Sequence, residues 1–274
     1  EENIVTLGAN AFKNCQSLTG VLNFTSLTTV ASTSSENSAF RGSGITEVHM
    51  PKVNDIGTSY MFYACTNLTT VSFGALLEVV DRTFQGCSSL TTVTLSPNTT
   101  KIHDYAFYTC TSLKSITLNA TLEEIHPHAF ESSGLESIDL KNVLSVGEQA
   151  FKGCTSLTSL IVGSKIESIG NSAFYNCKKL KSVTIPNTVK CIEEWAFGCC
   201  GQLKNVAIPN SITEIHEGAF SCCFKLKNLT IPDSVTKIVK HAFSGCRNIT
   251  IPTSVKELGA DAFSWCVLYK GTFA

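Results

Sequence analysis

A 23-residue period is the feature that most restricts how this chain can fold. Phe174, Phe197, Phe220 and Phe243 follow one another at 23-residue steps, each after an Ala and each three positions before a Cys. Counted through the less regular parts, Phe12, Phe40, Phe62, Phe84, Phe107, Phe130, Phe151 and Phe263 complete a set of about 12 rungs. Self-similarity at such a period marks a stacked, quasi-one-dimensional array. A single rung holds too few apolar side chains to offset the entropy of ordering its backbone, so it becomes viable only when neighbours cover its two open faces.

Within the rung that begins at Phe197, the sequence Leu203-x-x-Val206-x-Ile208 ends in a period-two alternation, which predicts a half-buried strand. Pro209 stops that strand because it has no amide to give to a ladder. Ile212-x-x-Ile215 forms a second inward segment on the opposite wall. A Gly often follows it (Gly8, Gly57, Gly147, Gly170, Gly259), as a turn requires. Ala-Phe then enters one tight helical turn, too short to be a stable helix alone.

The recurring set of a Pro after the strand, the Ala-Phe pair and the following Cys resembles the BspA-like, Treponema-type leucine-rich repeats, most closely over residues 174–243. The resemblance implies a leucine-rich-repeat solenoid: a curved right-handed superhelix, mostly β, with a parallel concave sheet and short helical or 3-10 turns. It also implies a surface or secreted protein that adheres to host or matrix proteins. The array reads as one domain over residues 1–274, with irregular rungs at 1–62, regular rungs at 63–246 and an incomplete last rung at 263–274. Ala31 to Ser38 is a Ser-rich insert, and Gly44 and Gly134 tighten rungs that lack one residue. The rung at Phe243 is three residues short between Cys246 and Ile249. Glu1-Glu2-Asn3 starts in mid-repeat and no polar capping repeat is seen, so the chain reads as a mature or trimmed piece of a longer one.

Composition narrows the classes. A net charge of −1 argues against nucleic acid as partner, and no apolar run reaches membrane-spanning length. The charge is unevenly spread. Residues 175–256 hold eleven Lys/Arg and five Asp/Glu, or +6; the remainder holds ten and seventeen, or −7. Ten of the 13 cysteines (Cys15, Cys65, Cys87, Cys110, Cys154, Cys177, Cys200, Cys223, Cys246, Cys266) share one repeat position, which predicts a buried thiol ladder. Zinc is disfavoured, since stacked rungs cannot bring four thiolates together tetrahedrally. Cys199 and Cys222 sit at one position in adjacent rungs, so a bridge stays open, with free thiols expected. Unpaired cysteine suits a reducing cytosol or an anaerobic niche as well as the cell surface.

Three surfaces are candidates for binding. The outward strand positions carry short hydroxyls and amides, among them Thr92, Thr94, Ser115 and Thr117, with Glu47 and His49 at the margin. They read either as a hydrogen-bonding grid or as solubilising cover. The positions two before and one after Phe lie three apart and share a face of a turn. They hold Tyr60 and Tyr63, Arg82 and Gln85, Tyr105 and Tyr108, and His128 and Glu131, continued sparsely by Tyr175, Trp195 and His241. This strip fits a protein-binding patch or an aromatic shield for the rung edges. Lys181, Lys204 and Lys227 align in three successive rungs, as a solvated edge or as a patch for acidic partners and polyanionic glycans.

No GxSxG, P-loop, GxGxxG or HExxH occurs. The expectation is a non-enzymatic recognition or adhesion module, extracellular or at the cell surface, without metal or cofactor. Its partner would be a protein or a glycan, not nucleic acid. A passive stalk presenting another domain is the alternative, and an enzyme is a distant third.

Overall fold

The structure is a computed structural model that describes residues 3–31, 37–57 and 59–266. Most of the Ser-rich insert (residues 32–36), the end of the last rung (267–274), and residues 1, 2 and 58 lie outside the described residues. The chain forms two compact units, residues 1–135 and 136–274, each a parallel β-solenoid.

In the first unit, one wall is a four-stranded parallel sheet of Val21–Asn23, Glu47–Met50, Thr70–Phe73 and Thr92–Thr94. The register steps by one rung at a time: Thr70 pairs with Thr92, Val71 with Val93 and Ser72 with Thr94. A second wall carries short strands at Glu78–Val79, Lys101–Ile102 and Glu124–Ile125, also parallel. The second unit repeats this plan. Its first wall pairs Ser137–Asp139 with Ser159–Ile161 and Ser182–Thr184 with Asn205–Ala207. Beyond these, only isolated bridges join Lys227 to Arg247 and Thr230 to Thr250. Its second wall includes Glu214–Ile215, Lys237–Ile238 and Glu257–Leu258.

The period-two reading of the strand holds: Val71, Val93, Val183 and Leu160 point inward while the intervening Ser and Thr point out. The strand Asn205–Ala207 stops just before Ile208 and Pro209, and both Ile212 and Ile215 are fully buried.

The Ala-Phe corner differs in kind from the helical turn that its spacing suggests. No helix occurs among the described residues. In the rung of Phe62, the amides of Tyr60, Phe62 and Ala64 donate to Asp81, Thr83 and Gln85 of the next rung at 3.0, 2.8 and 2.8 Å. The amides of Tyr63 and Cys65 instead close three-residue steps onto the carbonyls of Tyr60 and Phe62. Tyr60 and Ala64 take left-handed backbone angles, φ 63° and 57°, which turn alternate amides along the stack. A helix would spend those amides inside the rung; here the corner becomes a third ladder, and the amides of Tyr60, Phe62, Tyr63, Ala64 and Cys65 all have partners.

Inside, the Phe side chains form a stack. Phe62 and Phe84 have ring centroids 5.4 Å apart at 3°, Phe84 and Phe107 lie 5.1 Å apart, and Phe174 and Phe197 lie 5.4 Å apart at 7°. From Phe40 to Phe243 the marker rings are shut off from solvent. Near-parallel rings at this distance suit the aromatic quadrupole and occupy the centre of the rungs.

The short rungs explain their glycines. A Cβ on Gly134 would lie 2.1 Å from the Thr111 carbonyl oxygen, and one on Gly44 would lie 2.0 Å from that of Gln16. Losing one residue draws the chain against the rung before it, so the Gly44 and Gly134 amides bond the Cys15 and Cys110 carbonyls at 3.0 and 3.1 Å.

Candidate functional site: the flanks of the rungs

The aromatic strip of the first unit is brought together by the left-handed corner. Because each corner closes at three residues, Tyr60 and Tyr63 meet at 5.3 Å and Tyr105 and Tyr108 at 5.6 Å between ring centroids. Neighbouring rungs then interleave. The Arg82 guanidinium lies 4.2 Å from the Tyr105 ring centre and 5.7 Å from that of Tyr60. His128 stacks on Tyr105 at 4.4 Å and 4°. Arg82 Nη1 donates to Gln85 at 3.0 Å, and His128 Nδ1 meets Glu131 at 2.5 Å. Arg41 extends the column, 5.0 Å from Tyr63. Its place one residue after Phe40 is the same repeat position as Tyr63, so the period itself pointed to it. The strip is half-buried, and Arg82, between Tyr60 and Tyr105, takes up ring faces on both.

Thr92 and Thr94 stand exposed on the first wall, as expected. Ser115 and Thr117 are exposed too, but their segment joins no regular strand pair, so the grid does not run unbroken through them. At the margin, His49 bridges Ser72 at 2.6 Å and Glu47 at 2.7 Å.

On the second wall, the His103 and His126 rings lie 4.5 Å apart, tilted by 44°, and each holds a carboxylate: His103 to Glu78 at 2.8 Å, His126 to Glu124 at 3.0 Å. The hydrogen bond from His126, and with it Lys101 at 3.3 Å, keeps the Glu124 carboxyl below its usual range. No group of three or more His, Cys, Asp or Glu among the described residues is placed to hold a metal ion.

Eight thiols of the shared position are buried. Cys15 is exposed, contrary to the expected column, because among the described residues no earlier Phe rung packs against it. Burial pushes Cys65 up to about 11 and Cys87, Cys177 and Cys223 well above the ordinary thiol value. None of the thirteen cysteines, Cys199 and Cys222 included, is in a disulfide. The Cys199 thiol touches Tyr175 Oη at 3.4 Å, and that contact together with burial pushes the phenol up to about 12.

Lys181, Lys204 and Lys227 stand exposed in successive rungs of the second unit. The amide of Lys204 bonds the Lys181 carbonyl at 2.8 Å, and Lys227 bridges to Arg247. Sequence reasoning missed Arg247, Lys225 and the exposed Phe224, which lie beside this row.

With this geometry, the chain can be set beside known proteins. The BspA type leucine rich repeat region matches residues 1–80, 33–158, 77–190 and 144–270. The chain belongs to this family. A leucine-rich repeat protein from Bacteroides ovatus ATCC 8483 is 30% identical, with a TM-score of 0.71 over 76% of this chain and 55% of that one. The BspA-type chain therefore spans about half the length of that relative. A leucine-rich repeat protein from Eubacterium ventriosum ATCC 27560 shares the fold at 18% identity and TM-score 0.51, covering 90% of this chain and 81% of its own. A leucine rich cell surface protein from Faecalibacterium prausnitzii A2-165 is 26% identical, with a TM-score of 0.47 over 83% of this chain and 79% of that one. No curated protein matches this BspA-type chain significantly.

Proposed function

We propose that this BspA-type chain is a non-enzymatic recognition module, extracellular or at the cell surface, that adheres to a protein or glycan through the flanks of its rungs. One observation carries the reading: the inside is filled. The marker rings from Phe40 to Phe243 and the Leu and Val of both walls are buried. A ligand of any size must therefore be met on the outside, where the first wall offers Thr92, Thr94 and their counterparts and the corner offers Tyr105 and Tyr108. Acid–base or nucleophilic chemistry needs convergent groups in a water-excluding site; the flank grooves are open, and the histidines there are tied to neighbouring carboxylates. Surface placement follows from what the family implies.

The stalk reading draws support from a different observation. Arg82 between Tyr60 and Tyr105, with His128 on the far face of the column, uses ring faces that a partner would otherwise stack on. A pull-down against extracellular-matrix proteins together with a glycan array separates the two. A recognition module recovers a partner that Tyr105→Ser/Tyr108→Ser or a strand-face variant binds more weakly; a stalk recovers none.

A further inference from the structure

A trough of about 570 Å³ lies on the first-wall side of the second unit, where Gly201, Lys204, Phe224, Lys225, Lys227 and Arg247 meet. Its origin is the short rung after Phe243. The bridge from Lys227 to Arg247 sets Arg247 beside Lys227 and Ile249 beside Leu229. Phe224, Lys225 and Leu226 therefore have no counterpart in the next rung, and the space those residues would fill is open.

Phe224 is left 56% exposed, an unusual state for a side chain that buries well. Its ring leans over two glycines: a Cβ on Gly245 would lie 3.1 Å from it and one on Gly201 would lie 3.8 Å away. Other rungs place Thr66, Ser88, Thr111, Thr155 or Lys178 at this position. Its period therefore does not explain this Phe.

The charges around the ring are unsatisfied. Three acids of the second wall are taken by lysines of the next rung: Glu167 by Lys190 at 3.0 Å, Glu214 by Lys237 at 2.9 Å and Glu217 by Lys240 at 3.1 Å. Lys181, Lys204, Lys225, Lys227 and Arg247 form no ion pair among the described residues and stand exposed. One cation per rung gives a row of positive charge with a spacing of about 4.8 Å along the stack. Each cation of the row is followed by a short polar residue: Ser182, Asn205, Asn228 and Asn248. Asn248 Nδ2 lies 3.4 Å from Asn228 Oδ1, so these amides form their own line beside the charges.

We infer that this trough binds a linear polyanionic polysaccharide, bearing sulfate or uronate groups, laid along the stack with one sugar face on Phe224. The choice of class follows from three features. The row is mostly lysine, compact point charges that suit scattered sulfates or carboxylates more than the paired forks used for acidic peptide motifs. An amide both donates and accepts, as sugar hydroxyls require, and the asparagine line sits next to the cations. A single exposed ring can hold one sugar face but cannot stack the successive bases of a single-stranded nucleic acid. The inference rests on the proposed recognition role and narrows it to one site and one ligand class.

The test uses the full chain and immobilised heparin fragments and polyuronate, with neutral dextran, polyglutamate and a single-stranded oligonucleotide as comparators. The charged polysaccharides are expected to bind and to weaken steeply between low and physiological salt, and dextran not to bind. Lys204→Ser/Lys227→Ser should weaken binding about tenfold and Phe224→Ser about fivefold. Lys190→Ser/Lys237→Ser removes the same charge from the other wall and should change it less than twofold. An equal loss in that control, unchanged affinity in Phe224→Ser, tighter binding of polyglutamate or oligonucleotide, or no binding of either polysaccharide overturns the inference. Polysaccharide binding that survives Lys204→Ser/Lys227→Ser at full strength but falls with Tyr105→Ser/Tyr108→Ser overturns this site alone and leaves the recognition role standing.

Discussion

The Cys200 thiol donates to the Phe174 carbonyl one rung back at 3.2 Å, and that carbonyl already accepts the Cys177 amide at 3.3 Å. Cys223 repeats the contact with Phe197 at 3.2 Å and Cys246 with Phe220 at 3.2 Å. The thiol thus serves the second lone pair of a buried carbonyl and is small enough to leave the Phe stack undisturbed. Cys200→Ala removes the donor and leaves a small void, with an expected loss of about 1–2 kcal/mol. Cys200→Ser keeps a donor, as Ser43 and Ser133 do at this position while buried, and should cost less. Thermal unfolding of the three proteins checks the order; a serine variant less stable than the alanine one would refute the role given to the thiol proton.

Cys65, Cys87, Cys110 and Cys223 set an alkaline limit. Burial raises Cys65 to about 11 and lifts Cys87, Cys110 and Cys223 further. A folded state that holds these protons more tightly than the unfolded chain is favoured fully below the free thiol value, near 8.5. As pH climbs above that, the unfolded chain ionises first and the advantage shrinks until the folded thiols titrate. Denaturant midpoints should therefore fall progressively from about pH 8.5 toward 11. Alkylation at pH 8 should label the exposed Cys15 well before Cys87 or Cys110. A midpoint flat from pH 8 to 11, or equal labelling rates, would contradict this.

Gly218 shows how the corner restricts sequence in the second unit. Its φ is +60°, and a Cβ there would lie 2.4 Å from Trp195 Cδ2. Gly218→Ala meets a left-handed backbone and a ring at once and should cost about 2–3 kcal/mol. Adding Trp195→Ser removes the clash but not the backbone penalty, so the pair should recover part of the loss, leaving about 1 kcal/mol. Equilibrium unfolding of single and double variants reads this directly; no recovery in the double variant would mean that the ring is not the obstacle.

Much of the fold was legible because it repeats. Val206-x-Ile208 gave the strand, Pro209 its end, and Ile212 and Ile215 the second inward wall, since period-two burial and proline's missing amide act locally. The corner was not legible. Tyr60, Arg82, Tyr105, His128 and Trp195 adopt left-handed angles that side chains of their size rarely take, and only amides offered to the next rung compensate for it. Spacing still placed Tyr105 beside Tyr108, because a closed turn and a helical turn bring the same residues together. The Phe224 trough stayed hidden for a different reason. The three missing residues after Cys246 were countable, but the absence of a neighbour over Phe224 emerges only when Arg247 is seen to pair with Lys227.

Arg82 offers the clearest measurement of whether the edge holds the rungs together. Its guanidinium approaches the Tyr105 ring to 4.2 Å from the adjacent rung and is held by Gln85 at 3.0 Å. Half-buried cation–π contacts contribute about 0.5–1 kcal/mol, more when water is excluded. A double-mutant cycle of Arg82→Ala with Tyr105→Leu isolates that term, because Leu keeps bulk while removing the π face. The expected coupling is about 0.5–1 kcal/mol by urea unfolding, nearly insensitive to salt up to 0.5 M because the contact is partly shielded. A coupling near zero would mean that Arg82 merely rests beside the ring. In that case the Tyr105 face is available to a partner, and Arg82→Ala should leave the affinity of any ligand bound there unchanged.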